Sequence, residues 1–274
     1  MERGGLDVRK SVHTRAAAIV SRRRILGAAG ALAASAAMPR VLADAAGGVN
    51  VGMRAYTAIF PGGAGIYFDD TYYRDQHLAA MQRMYGDALT RVEMRKPVVA
   101  DGEPASPYAA IVNFWIPDAD VFAKASAAHG QTLVQDKAHF TNSEQKVQSE
   151  VVFGEAGKPA SAVRIGDRCL TVLYPHDPAA CFDYEYYRDH HMTSLIKLFG
   201  HEAISRMEIR KSLSSADGRS PPLYACTANV YVADEQAFAA AAGRNHQRVV
   251  DDIPRFTSVA PISVMTEVLG AFDA

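Results

Sequence analysis

The chain of 274 residues lacks the short motifs that identify most cofactor-binding and catalytic centres. Beyond residue 44 it has no Gly-x-Gly-x-x-Gly, no phosphate-binding loop, no His-Glu-x-x-His and no Gly-x-Ser-x-Gly. It has only three cysteines, and none stands in Cys-x-x-Cys or Cys/His ligand spacing. These absences argue against nucleotide-dependent chemistry, serine hydrolysis and a structural metal site.

An excess of charge of one sign is also missing, because 29 basic residues face 30 acidic ones. No basic surface is expected, and the sequence predicts no binding of nucleic acid. The balance is uneven along the chain, since residues 1–44 contain eight Lys or Arg but only three acids. The rest has 21 basic and 27 acidic residues and is therefore mildly acidic.

The first 44 residues have the pattern of an export signal. Arg22 and Arg23 precede Ile25 and Leu26, and a run of small apolar residues follows. This order resembles a twin-arginine signal peptide. The alternative is a membrane anchor, but about 14 weakly apolar residues fall short of the ~20 that span a bilayer. We expect cleavage of the signal, a periplasmic or secreted protein, and no membrane contact afterwards.

The rest of the sequence consists of two similar copies. Residues 68–77 recur as residues 182–191, and the match continues through most of both copies at an offset that grows slowly. A period of more than 100 residues indicates tandem domains and not a solenoid. We predict a first unit over residues 45–157 and a second over 158–274, with a linker within residues 154–165.

Each copy predicts the element order β-α-β-β-α-β. Asp69 and Asp183 suit the N-caps of the first helices, and Gly86 and Gly200 suit their ends. This order is the ferredoxin-like split unit, whose helices cover one face of a four-stranded antiparallel sheet. Two such units can close their bare sheet faces on each other. The predicted fold is therefore α+β, a pseudo-twofold dimeric α+β barrel formed by one chain.

His77 and His191 are the main candidates for chemistry. Each lies on the apolar face of a first helix, four residues after Tyr73 or Tyr187. One interpretation is a core histidine whose ring is satisfied by a carbonyl or a carboxylate. A second is an imidazole in an apolar pocket that acts as a general acid or base. A third is a metal or haem ligand, although the spacing places no second ligand.

Several tyrosines, asparagines and phenylalanines recur at equivalent positions and are predicted to line a pocket in each half. The tyrosines either pack with the hydroxyl at the rim or flank a flat ligand, and the amides either bond a loop or line a cavity. The phenylalanines, each in an Asp-x-x-x-Phe-Thr segment, either plug the core or belong to a lid. These residues are Tyr72, Tyr73, Asn113 and Phe140 in the first copy and Tyr186, Tyr187, Asn229 and Phe256 in the second.

A charged pattern, Arg-x-Glu-x-Arg, also occurs in both copies. Glu93 stands between Arg91 and Arg95, and Glu208 stands between Arg206 and Arg210. Residues two apart share one face of a strand. We expect these charges to keep an edge strand soluble or to link the halves by ion pairs. A catalytic role of the glutamates is the alternative.

The repeated motifs Phe-Asp-x-x-Tyr-Tyr-x-x-x-His and Asp-x-x-x-Phe-Thr resemble the EthD family of the dimeric α+β barrel superfamily. The resemblance covers nearly all of the chain beyond the signal. It implies the barrel fold and an association with oxidative degradation of ethers and related small organic molecules. Family members often have His-x-Pro, whereas this chain has Leu78-Ala79 and Met192-Thr193 after the histidines. We therefore expect each helix to continue without a proline break.

The sequence thus predicts an exported EthD-like oxidoreductase that acts on a small hydrophobic or aromatic molecule through His77 and His191. No cofactor and no metal are predicted. One alternative is a non-catalytic small-molecule-binding or accessory module, and another is a haem-dependent enzyme. Because the fused pair supplies its own partner, a monomeric pseudo-dimer is expected.

Overall fold

The computed structural model describes residues 49–100 and 102–273. The export signal predicted over residues 1–44 lies outside this range. Within it, the element order β-α-β-β-α-β occurs twice. The positions of the unit boundaries stay a prediction.

The first copy contains four strands and two helices. The strands are β1 Arg54–Pro61, β2 Arg91–Pro97, β3 Tyr108–Ile116 and β4 Lys146–Gly157. Helix α1 has three segments, which are α-helical over Asp70–Tyr72, π-helical over Tyr73–His77 and α-helical over Leu78–Tyr85, and α2 is Ala119–Asp136.

The second copy repeats this arrangement. Its strands are β5 Arg168–Pro175, β6 Ile204–Ser215, β7 Tyr224–Val232 and β8 Ile262–Asp273. Helix α3 is α-helical over Tyr184–Tyr186, π-helical over Tyr187–Met192 and α-helical over Thr193–Phe199, and α4 is Glu235–Asp252.

The predicted helix signals act as expected. The carboxylates of Asp69 and Asp183 each accept a hydrogen bond from the backbone N–H three residues on, at 2.9 Å. Helices α1 and α3 end at Gly86 and Gly200, whose φ angles of 43° and 83° favour glycine. The predicted linker is partly wrong, because β4 stays paired with β6 as far as Gly157. The connection between the copies is residues 158–167.

All eight strands form one closed barrel in the order β1-β3-β2-β8-β5-β7-β6-β4. Two antiparallel seams join the copies, namely β2 with β8 and β4 with β6. The seams are equivalent, since Arg91 pairs with Asp273 in one and Arg206 with Gly157 in the other. The α+β barrel predicted from the sequence is confirmed.

The two faces of each sheet differ in chemistry. In β2, Val92 and Met94 belong to an apolar cluster with Tyr73 and Met81 of α1 and Phe122 of α2. Alternation along a strand turns the intervening residues to the opposite face, which is the inside of the barrel. The helices therefore cover the outside of the barrel.

The inside of the barrel is charged. The Arg-x-Glu-x-Arg side chains of β2 and β6 and Glu150 are all at most 3% exposed. The expectation of a soluble edge strand is wrong, because β2 is paired on both sides. The expectation of ion pairs between the halves is confirmed, since Arg210 Nη1 lies 3.4 Å from Glu150 Oε2 and Arg206 Nη2 lies 3.0 Å from Glu155 Oε2.

Asn113 and Asn229 also lie inside the barrel. The side-chain carbonyl of Asn113 accepts a hydrogen bond from Arg210 at 2.8 Å, and that of Asn229 accepts one from Arg95 at 2.8 Å. Each amide therefore binds an arginine of the other half. The expectation that they bond a neighbouring loop is wrong, because these partners stand on strands β6 and β2. Their place in the lining of a pocket stays a prediction.

The three cysteines are all unpaired, with Cys169 and Cys226 buried and Cys181 exposed. This agrees with the odd number of cysteines. Among residues 49–100 and 102–273, no helix is long and apolar enough to cross a membrane.

Candidate functional site

A π-helical turn places a histidine at the same point of each half. The segment Tyr73–His77 ends on His77, and the segment Tyr187–Met192 contains His191. A π-turn inserts an extra residue into a helix and often occurs at functional sites. Because the N-caps Asp69 and Asp183 fix where each helix begins, the turn sets the direction of the histidine side chain.

Each histidine is bonded to an aspartate at the end of the neighbouring helix. The Nδ1 atom of His77 lies 2.7 Å from Asp136 Oδ2, and that of His191 lies 2.9 Å from Asp252 Oδ2. The other carboxylate oxygen accepts a hydrogen bond from a tyrosine hydroxyl, from Tyr72 at 2.8 Å and from Tyr186 at 2.9 Å. We call these sets, His77–Asp136–Tyr72 and His191–Asp252–Tyr186, the first and second triads.

The electrostatics of the triads favour a neutral imidazole. His77 and His191 are only 5% and 6% exposed, and burial lowers the pKa of both more than the adjacent aspartate raises it. Burial alone would raise the pKa of Asp136 and Asp252, but hydrogen bonds from the histidines and tyrosines lower it. An ionised carboxylate only accepts hydrogen bonds, so Nδ1 carries the proton and Nε2 has the free lone pair. The free nitrogen is therefore a base.

Aromatic rings form the inner wall around each imidazole. The ring of His77 lies 4.7 Å from that of Phe140 and 4.8 Å from that of Tyr73, between centroids. In the second half the corresponding distance from His191 to Phe256 is 4.8 Å. Burial raises the pKa of Tyr73, so its hydroxyl stays protonated. In the second half the ring of Tyr187 lies 5.3 Å from that of His191, and burial likewise raises the pKa of Tyr187.

The space beside each triad is a groove between two helices. Aromatic side chains such as Phe60, Phe68 and Phe140 fill the layer between helix and sheet. The first groove, of about 360 Å³, lies between α1 and α2, and the second, of about 180 Å³, lies between α3 and α4. The lining includes Tyr72, Ala80, Met84, Leu133 and Asp136 in the first and His191, Ser194, Leu198, Val249 and Asp252 in the second.

The two grooves occupy equivalent places in the repeat. Ala80 and Met84 correspond to Ser194 and Leu198 at an offset of 114. Leu133 and Asp136 correspond to Val249 and Asp252 at an offset of 116. Equivalent positions thus border the triad in both halves, which marks the groove as a feature of each unit.

The structure brings together most of the predicted site residues but adds two. Tyr72 lines the first groove, while Phe140 and Phe256 lie behind the histidines. The aspartates Asp136 and Asp252 were not predicted as site residues. Their signal is the Asp-x-x-x-Phe-Thr segment, which occurs in both copies.

The titration of the histidines tests this description directly. We expect His77 and His191 to titrate below the ordinary value of 6.5, and His77 to titrate lower still in Asp136→Asn, which removes the charge that raises its pKa. Nuclear magnetic resonance of the imidazole Cε1–Hε1 groups measures both values. Between the lowered pKa and 6.5 the unfolded chain binds protons that the folded chain does not. The free energy of unfolding should therefore rise with pH through that window, and a His77 pKa above 6.5 would contradict the burial argument.

The closed barrel with outer helices defines the class: the chain has the fold of the dimeric α+β barrel superfamily. A proposed monooxygenase from Fusobacterium nucleatum matches with a TM-score of 0.51 and 6% identity, over 81% of this chain and 94% of that chain. An EthD-like protein from Ralstonia eutropha JMP134 matches with a TM-score of 0.36 and 26% identity, over 38% of this chain and 93% of that one.

A third solved structure, an anthrone oxidase-like protein, matches with a TM-score of 0.49 and 10% identity, over 82% of this chain and 94% of that chain. No protein-family model and no curated protein matches the chain. The barrel fold that the sequence resemblance implies is confirmed. In the part of the chain that the structure describes, no group of three or more His, Cys, Asp or Glu could hold a metal ion.

Proposed function

We propose that each half is an acid–base site that oxidises a small aromatic or otherwise hydrophobic molecule with dioxygen. The observation that carries this proposal is the duplicated triad, with His Nδ1 held by an aspartate at 2.7 and 2.9 Å and Nε2 free. A buried histidine that served the core alone would need only one partner of any kind. Instead the same His, Asp and Tyr recur in both halves at the side of a groove.

The chemistry follows from the neutral imidazole. Nε2 removes a proton from an acidic C–H of the bound molecule, and the aspartate stabilises the imidazolium that forms. The resulting carbanion adds dioxygen, and the peroxide anion so formed takes the proton back from the imidazolium, which gives a hydroperoxide. For a CH2 group, loss of water from the hydroperoxide leaves a carbonyl, so one dioxygen yields one carbonyl and one water. The protein supplies the base and orients the bound molecule beside it.

A haem fits the second groove poorly. Nε2 of His191 would be the atom that holds its iron, but the groove beside it has about 180 Å³. Pockets for drug-sized ligands span roughly 300–1,000 Å³, and a porphyrin is a large member of that class. The inner wall is closed by the rings of Phe256 and Tyr187. We therefore derive no step through a haem, and a visible spectrum of the purified protein tests this directly.

Anthrone is a suitable probe, because its CH2 group is acidic and its oxidation product, anthraquinone, is easily measured. We expect the protein to accelerate uptake of one dioxygen per anthraquinone formed, in a colourless preparation and in the presence of a chelator. Anthraquinone itself, which has no acidic C–H, is the control substrate. Binding of anthrone without oxygen uptake would instead support the alternative function, a non-catalytic binding or accessory module.

We also propose that the chain is exported by its twin-arginine-type signal and acts as a monomer. The signal rests on the sequence alone, and the monomer is supported by the two seams, which join both halves within one chain. Fractionation of expressing cells, compared with an Arg22→Lys/Arg23→Lys variant, tests export. Sedimentation of the mature protein tests the monomer.

A further inference from the structure

One difference between the two grooves lies on the helix that carries the aspartate of the triad. In the second groove Arg248 lies on α4, one helical turn before Asp252, which is about 6 Å along the axis. The equivalent residue of the first groove is Thr132, one turn before Asp136. The second triad therefore has a guanidinium beside it where the first has a hydroxyl.

Arg248 makes no ion pair and no side-chain hydrogen bond with any described residue. Its natural partner at i+4 is Asp252, but the oxygens of that carboxylate are already engaged. His191 and Tyr186 bind them at 2.9 Å, and Arg255 Nε lies 3.6 Å from Oδ1. Arg248 therefore lines the groove as an exposed residue whose guanidinium has no partner among the described residues, and guanidinium pairs most strongly with carboxylate.

The first groove has its cation elsewhere. Arg83 lines it from α1, six residues beyond His77, or roughly 9 Å along a helix. Arg83 therefore stands on the helix opposite Asp136, and further along its helix from the histidine than Arg248 is from Asp252. Beside the first triad stands His139, whose Nδ1 lies 3.2 Å from Asp136 Oδ1, in place of Arg255.

We infer that the second groove binds a small organic acid whose carboxylate is held by Arg248, whereas the first groove takes an uncharged molecule at the corresponding place. This inference rests on the proposed function, because it names the substrate class of the same sites. Leu195, Leu198 and Val249 supply an apolar wall for the body of the acid. Arg248 is the residue that determines specificity, and it acts by charge and not in the proton transfer.

Benzoate and its neutral analogue benzamide are the probes. The signals of His77 and His191 in the imidazole Cε1–Hε1 spectrum report the two grooves separately, and His77→Ala and His191→Ala assign them. We expect benzoate to shift the signal of His191 at concentrations that leave that of His77 unchanged, and to bind there more tightly than benzamide. Arg248→Thr should weaken benzoate binding about tenfold, because it removes a charge-assisted hydrogen bond.

Two further variants complete the test. Arg244→Thr removes the same charge from α4 one turn further from Asp252, at a residue that does not line the groove, and should change benzoate affinity less than twofold. Thr132→Arg should create benzoate binding at His77. The inference is overturned if Arg244→Thr and Arg248→Thr have equal effects, if His77 responds as strongly as His191, or if neither responds.

The readout separates this inference from the proposed function. Benzoate binding that depends on Arg248 in a protein that oxidises no substrate would reject the oxidation and leave a carboxylate-binding site. Oxidation of anthrone without any effect of Arg248 on benzoate would reject the carboxylate site alone.

Discussion

Replacement of both His77 and His191 by alanine is expected to lower the turnover of anthrone by a factor of about 10²–10⁴. Each of the two substitutions removes Nε2, the nitrogen that takes the proton. The single variants should each retain the activity of the other half, because the triads share no residue. Oxygen uptake under saturating substrate measures the effect.

The control must separate catalysis from packing, since both imidazoles are almost fully buried. Asparagine has an amide at the position of Nδ1, so His77→Asn/His191→Asn keeps a donor for the aspartates but has no Nε2. This variant should be inactive with a nearly unchanged free energy of unfolding. His246→Ala, on an exposed part of α4, is the matched surface control. A histidine variant that is unstable but fully active would establish the core-histidine interpretation.

The Arg210→Met variant is expected to lose about 3–5 kcal/mol of unfolding free energy, because it leaves the buried carboxylate of Glu150 without a counter-ion, whereas Glu208 keeps Arg206 at 3.1 Å. The guanidinium is fully buried, with Nε 2.6 Å from Glu208 Oε1 and Nη1 3.4 Å from Glu150 Oε2. It also lies 4.4 Å from the ring centroid of Trp115. Urea unfolding at neutral pH measures the loss.

Arg95→Met is the matched control, because Arg95 occupies the equivalent place in the first half. Its one carboxylate neighbour, Glu93 at 3.3 Å, keeps Arg91 at 3.3 Å and the hydroxyl of Tyr231 at 2.9 Å. Arg95→Met should therefore cost less than Arg210→Met. Equal losses would mean that the lost side-chain volume, and not the unpaired carboxylate of Glu150, sets the change in stability.

Much of the fold could be predicted because its signals are local. Strands β3 and β7 are marked by largely apolar runs, Tyr108–Ile116 and Tyr224–Val232, each of which has an asparagine within it. The N-caps at Asp69 and Asp183 depend on contacts over three residues. The barrel followed from the repeat, since each unit leaves one sheet face to be covered.

The candidate site could be predicted only in part because its contacts are not local. His77 and Asp136 are 59 residues apart, and His191 and Asp252 are 61 apart. Nothing in the residues around His77 marks a π-turn. The surroundings of the charged residues of β2 could not be predicted for a related reason. Alternation shows that these residues share one face of the strand. The pattern is the same whether that face meets water or the charges of another sheet.

The equivalence of the two seams has a consequence for the order of the chain. Residues 158–167 connect the end of β4 at Gly157 to the start of β5 at Arg168. The pseudo-twofold relation carries these two ends onto Asp273 and Arg54. A copy of the same ten-residue connection therefore has the length to join Asp273 to Arg54. The barrel is compatible with circular permutation, so which half is synthesised first is a matter of gene order and not of the architecture.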